Sequence, residues 1–340
     1  MQANWRTQLN ECIAALLAAK NEAVVYFTRR DLIGEVVGPI NLVWELAEPQ
    51  KILRKQCADG SWTGPVKRTP VYPEDHIRLV TSFKAFRTLV ERYRFSRESL
   101  HVEKAAEYLF TFQTREGDIR GFIGNQYATY YTGYVLALLM QAGYVNDPRI
   151  ERSMQWLLKM RQDDGGWTVP ILTHHFDGKT TYRLTSSYAE PVEPDRTQPF
   201  SHNWTDMVLR AFAAHPDYRQ SHEARTAGEL LKSRFFQPDV YSSHKAASYW
   251  TRFVFWWPNL LTAMESLALF EFTAADPDIK KGLIWFLENQ QKDGLWECAY
   301  DRRRSIQKSC PLIERLWISL RICRMFKQFL DAEFTSTTAL

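Results

Sequence analysis

With 340 residues, 45% of them hydrophobic and 24% charged, the chain can bury a large core, which excludes a disordered polypeptide. A formal charge of +4 over that length excludes a nucleic-acid partner, which would require clustered Lys/Arg stripes. The five cysteines (Cys12, Cys57, Cys298, Cys310, Cys323) are an odd set with no CxxC pair, so the expectation is reduced thiols in a cytoplasmic protein.

The N-terminal stretch MQANWRTQLNECIAALLAAKNEAVVYF reads as a helix around residues 5 to 27, its apolar run broken by Lys20, Asn21 and Glu22. It lacks the basic start and small-residue cleavage site of a signal peptide. No apolar run approaches the ~20 residues that span a bilayer, so no transmembrane segment is expected and membrane contact is at most peripheral. Further along, five amphipathic segments run into Gln: Gln56, Gln113, Gln162, Gln237 and Gln290, at intervals of 57, 49, 75 and 53. Such intervals suit two helices and their turns. Gly60, Gly117, Gly165 and Gly294 follow four of these Gln residues, where a left-handed helix cap needs no Cβ.

After each turn the spacing predicts a second, more apolar helix. Leu79, Phe83, Phe86 and Val90 are spaced 4, 3, 4, as are Tyr127, Tyr131, Tyr134 and Leu138, and Phe253, Trp257, Leu260, Met264 and Leu267 continue the alternation. Helices before each Gln carry more charge. The charged set is therefore expected outside and the aromatic set inside: an all-α fold, an α/α toroid, formed as one domain over 1–340. The N-terminal helix and a partner after Asp31 would supply a sixth pair. The long interval holds an insertion at residues 169–200, expected to be a lid over the site.

The Gln, Gly and Trp of RQDDGGW at 161–167, NQQKDGLW at 289–296 and KQCADGSW at 55–62 resemble the repeat of the prenyltransferase and squalene-oxidase family, which includes squalene-hopene cyclases, class II terpene cyclases and protein prenyltransferase β subunits. The resemblance runs from Trp44 to Phe329. It implies a six-hairpin α/α barrel of QW-type repeats around an apolar cavity, with an isoprenoid as substrate. It also implies that the repeat Gln and Trp tie neighbouring helices together and stand outside the site.

The residues that define activity in the family are altered. Where class II cyclases carry DxDD, this chain reads His202-Asn203-Trp204-Thr205, followed by Asp206. Asp206 is the expected substitute acid, with burial beside Trp204 and Phe200 favouring its neutral form. His202, four residues earlier, would pair with it. The competing assignment is a structural carboxylate near a helix start. In the region similar to the prenyltransferase zinc site Cys310 matches, but Lys308 replaces the Asp and no His follows His244, so no metal is expected. The basic run Arg302, Arg303, Arg304 and Lys308 is placed as the family's diphosphate-binding residues are, and is otherwise a solvated turn.

Cyclisation through a carbocation needs walls that stabilise positive charge without quenching it, and aromatic faces do so. The expected substrate-binding residues are Tyr127, Tyr130 and Tyr131 on one inner helix, Trp204 on the next, and Tyr249, Trp250, Trp256 and Trp257 on a third, with Arg302 and Arg303 for a prenyl diphosphate head. Core packing is the alternative for each. Glu74, Asp75 and His76 form a second polar group. The sequence thus points to a cyclase acting on an isoprenoid without a cofactor. Two alternatives stand beside it: a carbohydrate-active α/α barrel using Asp206 with Glu74 or Asp75, and a non-catalytic toroid that holds a lipid or a partner helix.

Overall fold

The computed structural model describes residues 2–64, 74–186, 189–241, 246–253, 257–299 and 310–337. In chain order the helices are α1 (Gln2–Leu17), α2 (Glu22–Phe27), α3 (Asn41–Trp44), α4 (Ala47–Leu53), α5 (Glu74–Arg87), α6 (Leu100–Phe110), α7 (Thr129–Leu139), α8 (Pro148–Lys159), α9 (Gly178–Leu184), α10 (His202–Ala214), α11 (His222–Ser233), α12 (Leu260–Leu269), α13 (Pro277–Glu288) and α14 (Leu312–Thr337). One short strand, β1 (Phe122–Asn125), lies between α6 and α7. The chain divides into two compact units, residues 44–230, and residues 1–43 with 231–340.

In the unit of residues 44–230, two kinds of helix alternate as the periodicity predicts. On α8, Asp147 caps the first turn by accepting from Arg149 N, Pro148 occupies a position where no N–H is missed, and Ile150, Met154, Trp156 and Leu157 form the buried stripe. On α7, by contrast, every residue from Tyr131 to Leu139 is buried, and on α10 only Arg210 and Ala214 escape full burial. The two apolar helices meet at Gly133, where a Cβ would come within 2.6 Å of Val208 Cα and 2.9 Å of the Met207 carbonyl. Only a residue without a side chain permits that approach.

The repeat residues supply recurring bonds, with Gln162 differing in that it donates to Asp195 O and Gln198 O of the insertion. The indole Nε1 of Trp62, Trp167 and Trp296 donates to the carbonyl ten residues earlier, Ile52, Leu157 and Phe286, at 2.7–2.8 Å. The backbone N–H of each donates to a hydroxyl on the following apolar helix: Ser82, Thr205 and Ser319. Gln56, Gln113 and Gln290 each send the side-chain amide to a carbonyl of another charged helix: His101, Arg149 and Gln8. The last of these bonds joins the end of α13 to α1. Gly60 has φ +88°, and a Cβ on it would lie 2.1 Å from the Lys104 carbonyl. Gln237, which lacks the following Gly and Trp, turns back to Ser233 O at the end of its own helix.

Several expectations are corrected. The N-terminal segment is two helices, because Asn21 breaks the run and its side chain accepts from Val24 N to start α2. The bond from Gln290 places α1 among the charged, Gln-linked helices. The periodicity from Phe253 to Leu267 overstates α12, which begins at Leu260: Pro258 disfavours a helical Trp257, and Asn259 caps through a reciprocal box with Thr262. Tyr249 and Trp250 therefore lie on a 3₁₀ turn, Ala247–Thr251, instead of an inner helix. Tyr127 lies two residues before α7. Finally, Cys298 and Cys310 are paired in a disulfide, with Cα atoms 5.7 Å apart, while Cys12, Cys57 and Cys323 are free. A single bond of this kind needs neither an even count nor a CxxC motif, only backbone proximity.

The insertion at 169–200 carries a 3₁₀ turn, Pro170–Thr173, and helix α9, capped by Asp177. Gln126, 1% exposed, pins it: Nε2 donates to Leu184 O at 2.7 Å and Glu190 O at 2.9 Å, and Oε1 accepts from Val192 N at 2.9 Å. Among the described residues no helix is long and apolar enough to cross a membrane.

Candidate active site

Ser201 starts α10 by accepting from Trp204 N, which sets His202, Asp206 and Arg210 along one face at one-turn intervals. Asp206 is 1% exposed and His202 6%. The Asp206 carboxylate accepts from Arg210 Nη2 at 2.6 Å. Burial alone would weaken the Arg210 charge, but the Asp206 carboxylate overrides it and holds the guanidinium above its ordinary value. Arg210 also stacks over the Tyr134 ring at 4.5 Å, and the Tyr134 hydroxyl donates to Glu91 Oε1. Burial, then the Glu91 charge, pushes that phenol well above the usual range. Arg87 closes the chain, 3.8 Å from Glu91. A buried polar line thus runs from α10 through α7 to the end of α5.

Beside it lies a continuous aromatic array. Trp204 and Tyr130 have ring centroids 4.3 Å apart, Tyr130 and Tyr131 4.5 Å, and Tyr131 stacks on Phe122 at 3.8 Å with planes 8° apart. Phe83 meets Phe122, Tyr131 and Tyr134 edge-on at 5.4–5.8 Å. Edge-on and stacked contacts of this kind are favourable and give the wall fixed faces.

The structure therefore brings together Tyr130, Tyr131, Trp204, Asp206 and His202, all within the unit of residues 44–230. Tyr127 is engaged elsewhere, its hydroxyl between Glu116 Oε2 at 2.9 Å and Glu193 Oε1 at 3.0 Å, at the junction with the insertion. Tyr249 belongs to the other unit, with Arg252 over its ring at 4.4 Å. Trp257 also belongs there, half-buried just before the α12 cap. Trp256, Arg302, Arg303, Arg304 and Lys308 lie outside the described residues. Sequence reasoning missed Arg210, Tyr134 and Glu91. The signal was a single Arg inside the apolar run MVLRAFAA, four residues after Asp206, and the Arg87/Glu91 pair at the same spacing.

Residues 80–189, about a third of the chain, match the family model of the squalene-hopene cyclase C-terminal domain. Among solved structures, the type II terpene cyclase MstE from Scytonema in its apo form is similar over 97% of this chain and 99% of that chain, at 14% identity and a TM-score of 0.50. A protein from Actinoplanes is similar over 96% of this chain and 90% of that chain, at 14% identity and 0.47. A variant of the Scytonema cyclase in complex with geranylgeranyl dihydroxybenzoate, its substrate, is similar over 97% and 88%, at 12% identity and 0.44. The fold is helical and resembles the α/α toroid of terpene cyclases. The chain resembles the squalene-hopene cyclase family and lacks its DxDD motif.

Proposed function

We propose that this protein is a terpene cyclase-like enzyme that takes an isoprenoid chain against the aromatic array and cyclises it by acid initiation. The observation that supports this reading best is the joining of Trp204, Tyr130, Tyr131, Phe122 and Phe83 into one wall beside a buried carboxylate. Such a wall stabilises a tertiary cation through its ring faces and offers no nucleophile to trap it. In this mechanism the His202–Asp206 pair delivers a proton to a terminal alkene. The π electrons form the new C–H bond, the cation passes to the more substituted carbon, and a later deprotonation or water capture ends the sequence. The Asp206 carboxylate is bonded by Arg210, so we assign delivery of the proton to His202, with Asp206 on the same helical face as its positioning partner. His202 and Asp206 are one helical turn apart, as that division of labour requires.

A second reading, a toroid that holds a lipid without turning it over, is favoured by the same ion pair, because a carboxylate tied to arginine is a poor acid. One experiment separates the two. The protein is incubated with squalene, with linear prenyl diphosphates and with a prenylated hydroxybenzoate, and products are read by mass spectrometry for wild type, Asp206→Asn and His202→Gln. Cyclised product that disappears in both variants supports the enzyme. Retention of unreacted isoprenoid on the purified protein supports the carrier, and turnover indifferent to both substitutions removes the assigned acid. The compartment we propose is the cytoplasm, on the three free thiols, with the Cys298–Cys310 disulfide as the observation against it; thiol titration in fresh lysate decides.

A further inference from the structure

Between α4 and α5, within the unit of residues 44–230, lies a groove of about 390 Å³ that the cyclase reading leaves unused. Three lysines line it, Lys51 and Lys55 from α4 and the turn that ends it and Lys84 from α5, against a single acid, Glu48. The Glu48 carboxylate already accepts from the Tyr93 hydroxyl at 2.8 Å. Even with the whole Glu48 charge assigned to Lys84, two positive charges remain, because neither the Lys51 nor the Lys55 side chain has an ion pair or hydrogen bond among the described residues. Both lysines are exposed. They stand four residues apart across a continuing helical turn, since Arg54 keeps helical backbone angles (φ −59°, ψ −16°) and Lys55 N bonds Ile52 O at 3.1 Å. Ammonium groups at that spacing share one face and reach a single tetrahedral head between them.

The rest of the lining includes apolar surface from Ile52 and Ala85, both half-buried, and the Trp62 indole fixes Ile52 by donating to its carbonyl at 2.8 Å. A groove of this size lies in the range of small-molecule sites, roughly 300–1,000 Å³, and is small for a macromolecular partner. We propose that it binds a small organic phosphate monoester, the phosphate between Lys51 and Lys55 and the apolar part against Ile52 and Ala85. A carboxylate neutralises one of the two lysines, whereas a phosphate dianion neutralises both, and lysine meets phosphate as a point charge. The site does not depend on turnover, so its failure leaves the cyclase reading untouched.

The full-length protein is titrated calorimetrically with phenyl phosphate and with inorganic phosphate at low ionic strength. Saturable binding of phenyl phosphate is expected, roughly fivefold or more tighter than inorganic phosphate because of the apolar wall. Lys51→Gln and Lys55→Gln should each weaken it roughly tenfold. Ala85→Leu, which fills the groove and keeps every charge, should weaken phenyl phosphate by a similar factor. Lys179→Gln, which removes an exposed charge on α9 in the insertion, should change nothing. Circular dichroism shows that each variant is folded. Cations beside the C-terminal end of a helix also act on stability alone, and in that case the lysine variants shift the unfolding midpoint while the wild type binds neither compound, which overturns the proposal. It is equally overturned by binding indifferent to Lys51, Lys55 and Ala85, by equal weakening in Lys179→Gln, or by inorganic phosphate binding as tightly as phenyl phosphate.

Discussion

Arg210 stands one helical turn beyond Asp206 and holds its carboxylate at 2.6 Å on a helix whose side chains are otherwise nearly all buried. Replacing Arg210 removes the countercharge nearest the buried carboxylate, so Arg210→Gln should destabilise the protein by about 3–5 kcal/mol. The double variant Asp206→Asn with Arg210→Gln removes both charges and should be less destabilised than the two single changes added together. Urea unfolding of the four proteins measures this coupling, and strict additivity would show that the pair contributes nothing of its own.

At Gly133 the backbones of α7 and α10 come too close for a side chain. Gly133→Ala inserts a methyl group into backbone atoms that cannot swing aside, so stability should fall by about 1–3 kcal/mol in spite of alanine's better helix propensity. A variant with an unchanged unfolding midpoint would mean that the two helices are free to separate.

Gln126 is the pin of the insertion. Replacing it with Ala removes three hydrogen bonds to Leu184, Glu190 and Val192 while leaving the helix core in place. Limited proteolysis should then cut within 174–199 much sooner, and amide exchange of Val192 should rise, with little change in global stability. Equal cleavage rates in variant and wild type would show that the segment is held by other contacts.

Acid should weaken the fold in a defined window. Asp147, hydrogen-bonded to Arg149, lies below its ordinary value, as does Asp276, where burial opposes but the Lys232 hydrogen bond prevails. Asp31 is lowered in the same way, burial being outweighed by Arg30 and Arg324. Each depressed carboxylate contributes stability that is complete above the unfolded value near 3.8 and is lost as pH falls through the folded one. Urea midpoints should therefore be flat from pH 6 to 5 and drop below about pH 4, and Asp147→Asn should make the drop shallower. A midpoint that holds down to pH 2 would contradict the ion pairs.

Removing the amide of Gln290 tests the link between α13 and α1. Gln290→Ala loses the bonds to Gln8 O at 3.0 Å and Gly294 O at 2.8 Å and should cost about 1–2 kcal/mol. Hydrogen exchange localises the effect: faster exchange is expected in α1 and α13, and an effect confined to the 290–294 turn would show that the bond does not join the helices.

The repeat turns were legible in the residues because their chemistry is local: Trp296 bonds ten residues back to Phe286, Gly294 takes the left-handed conformation that follows a helix end, and 3.6-residue periodicity separates the charged helices from the apolar ones. That much needs only chain geometry. Local patterns failed where a stop signal competed with a periodic one, as at Asn21 and at Pro258–Asn259. At the site, the resemblance to the DxDD segment pointed to Asp206, helical spacing added His202, and the aromatic stripes added Trp204, Tyr130 and Tyr131. Tertiary structure decided what each of them meets: Asp206 faces Arg210, Arg210 lies over Tyr134 from another helix, and Tyr127 turns to Glu193, 66 residues away. The charge and reach of a buried side chain depend on groups that only folding brings within a few ångströms, so the toroid's scaffold could be read along the chain while the electrostatics of its interior could not.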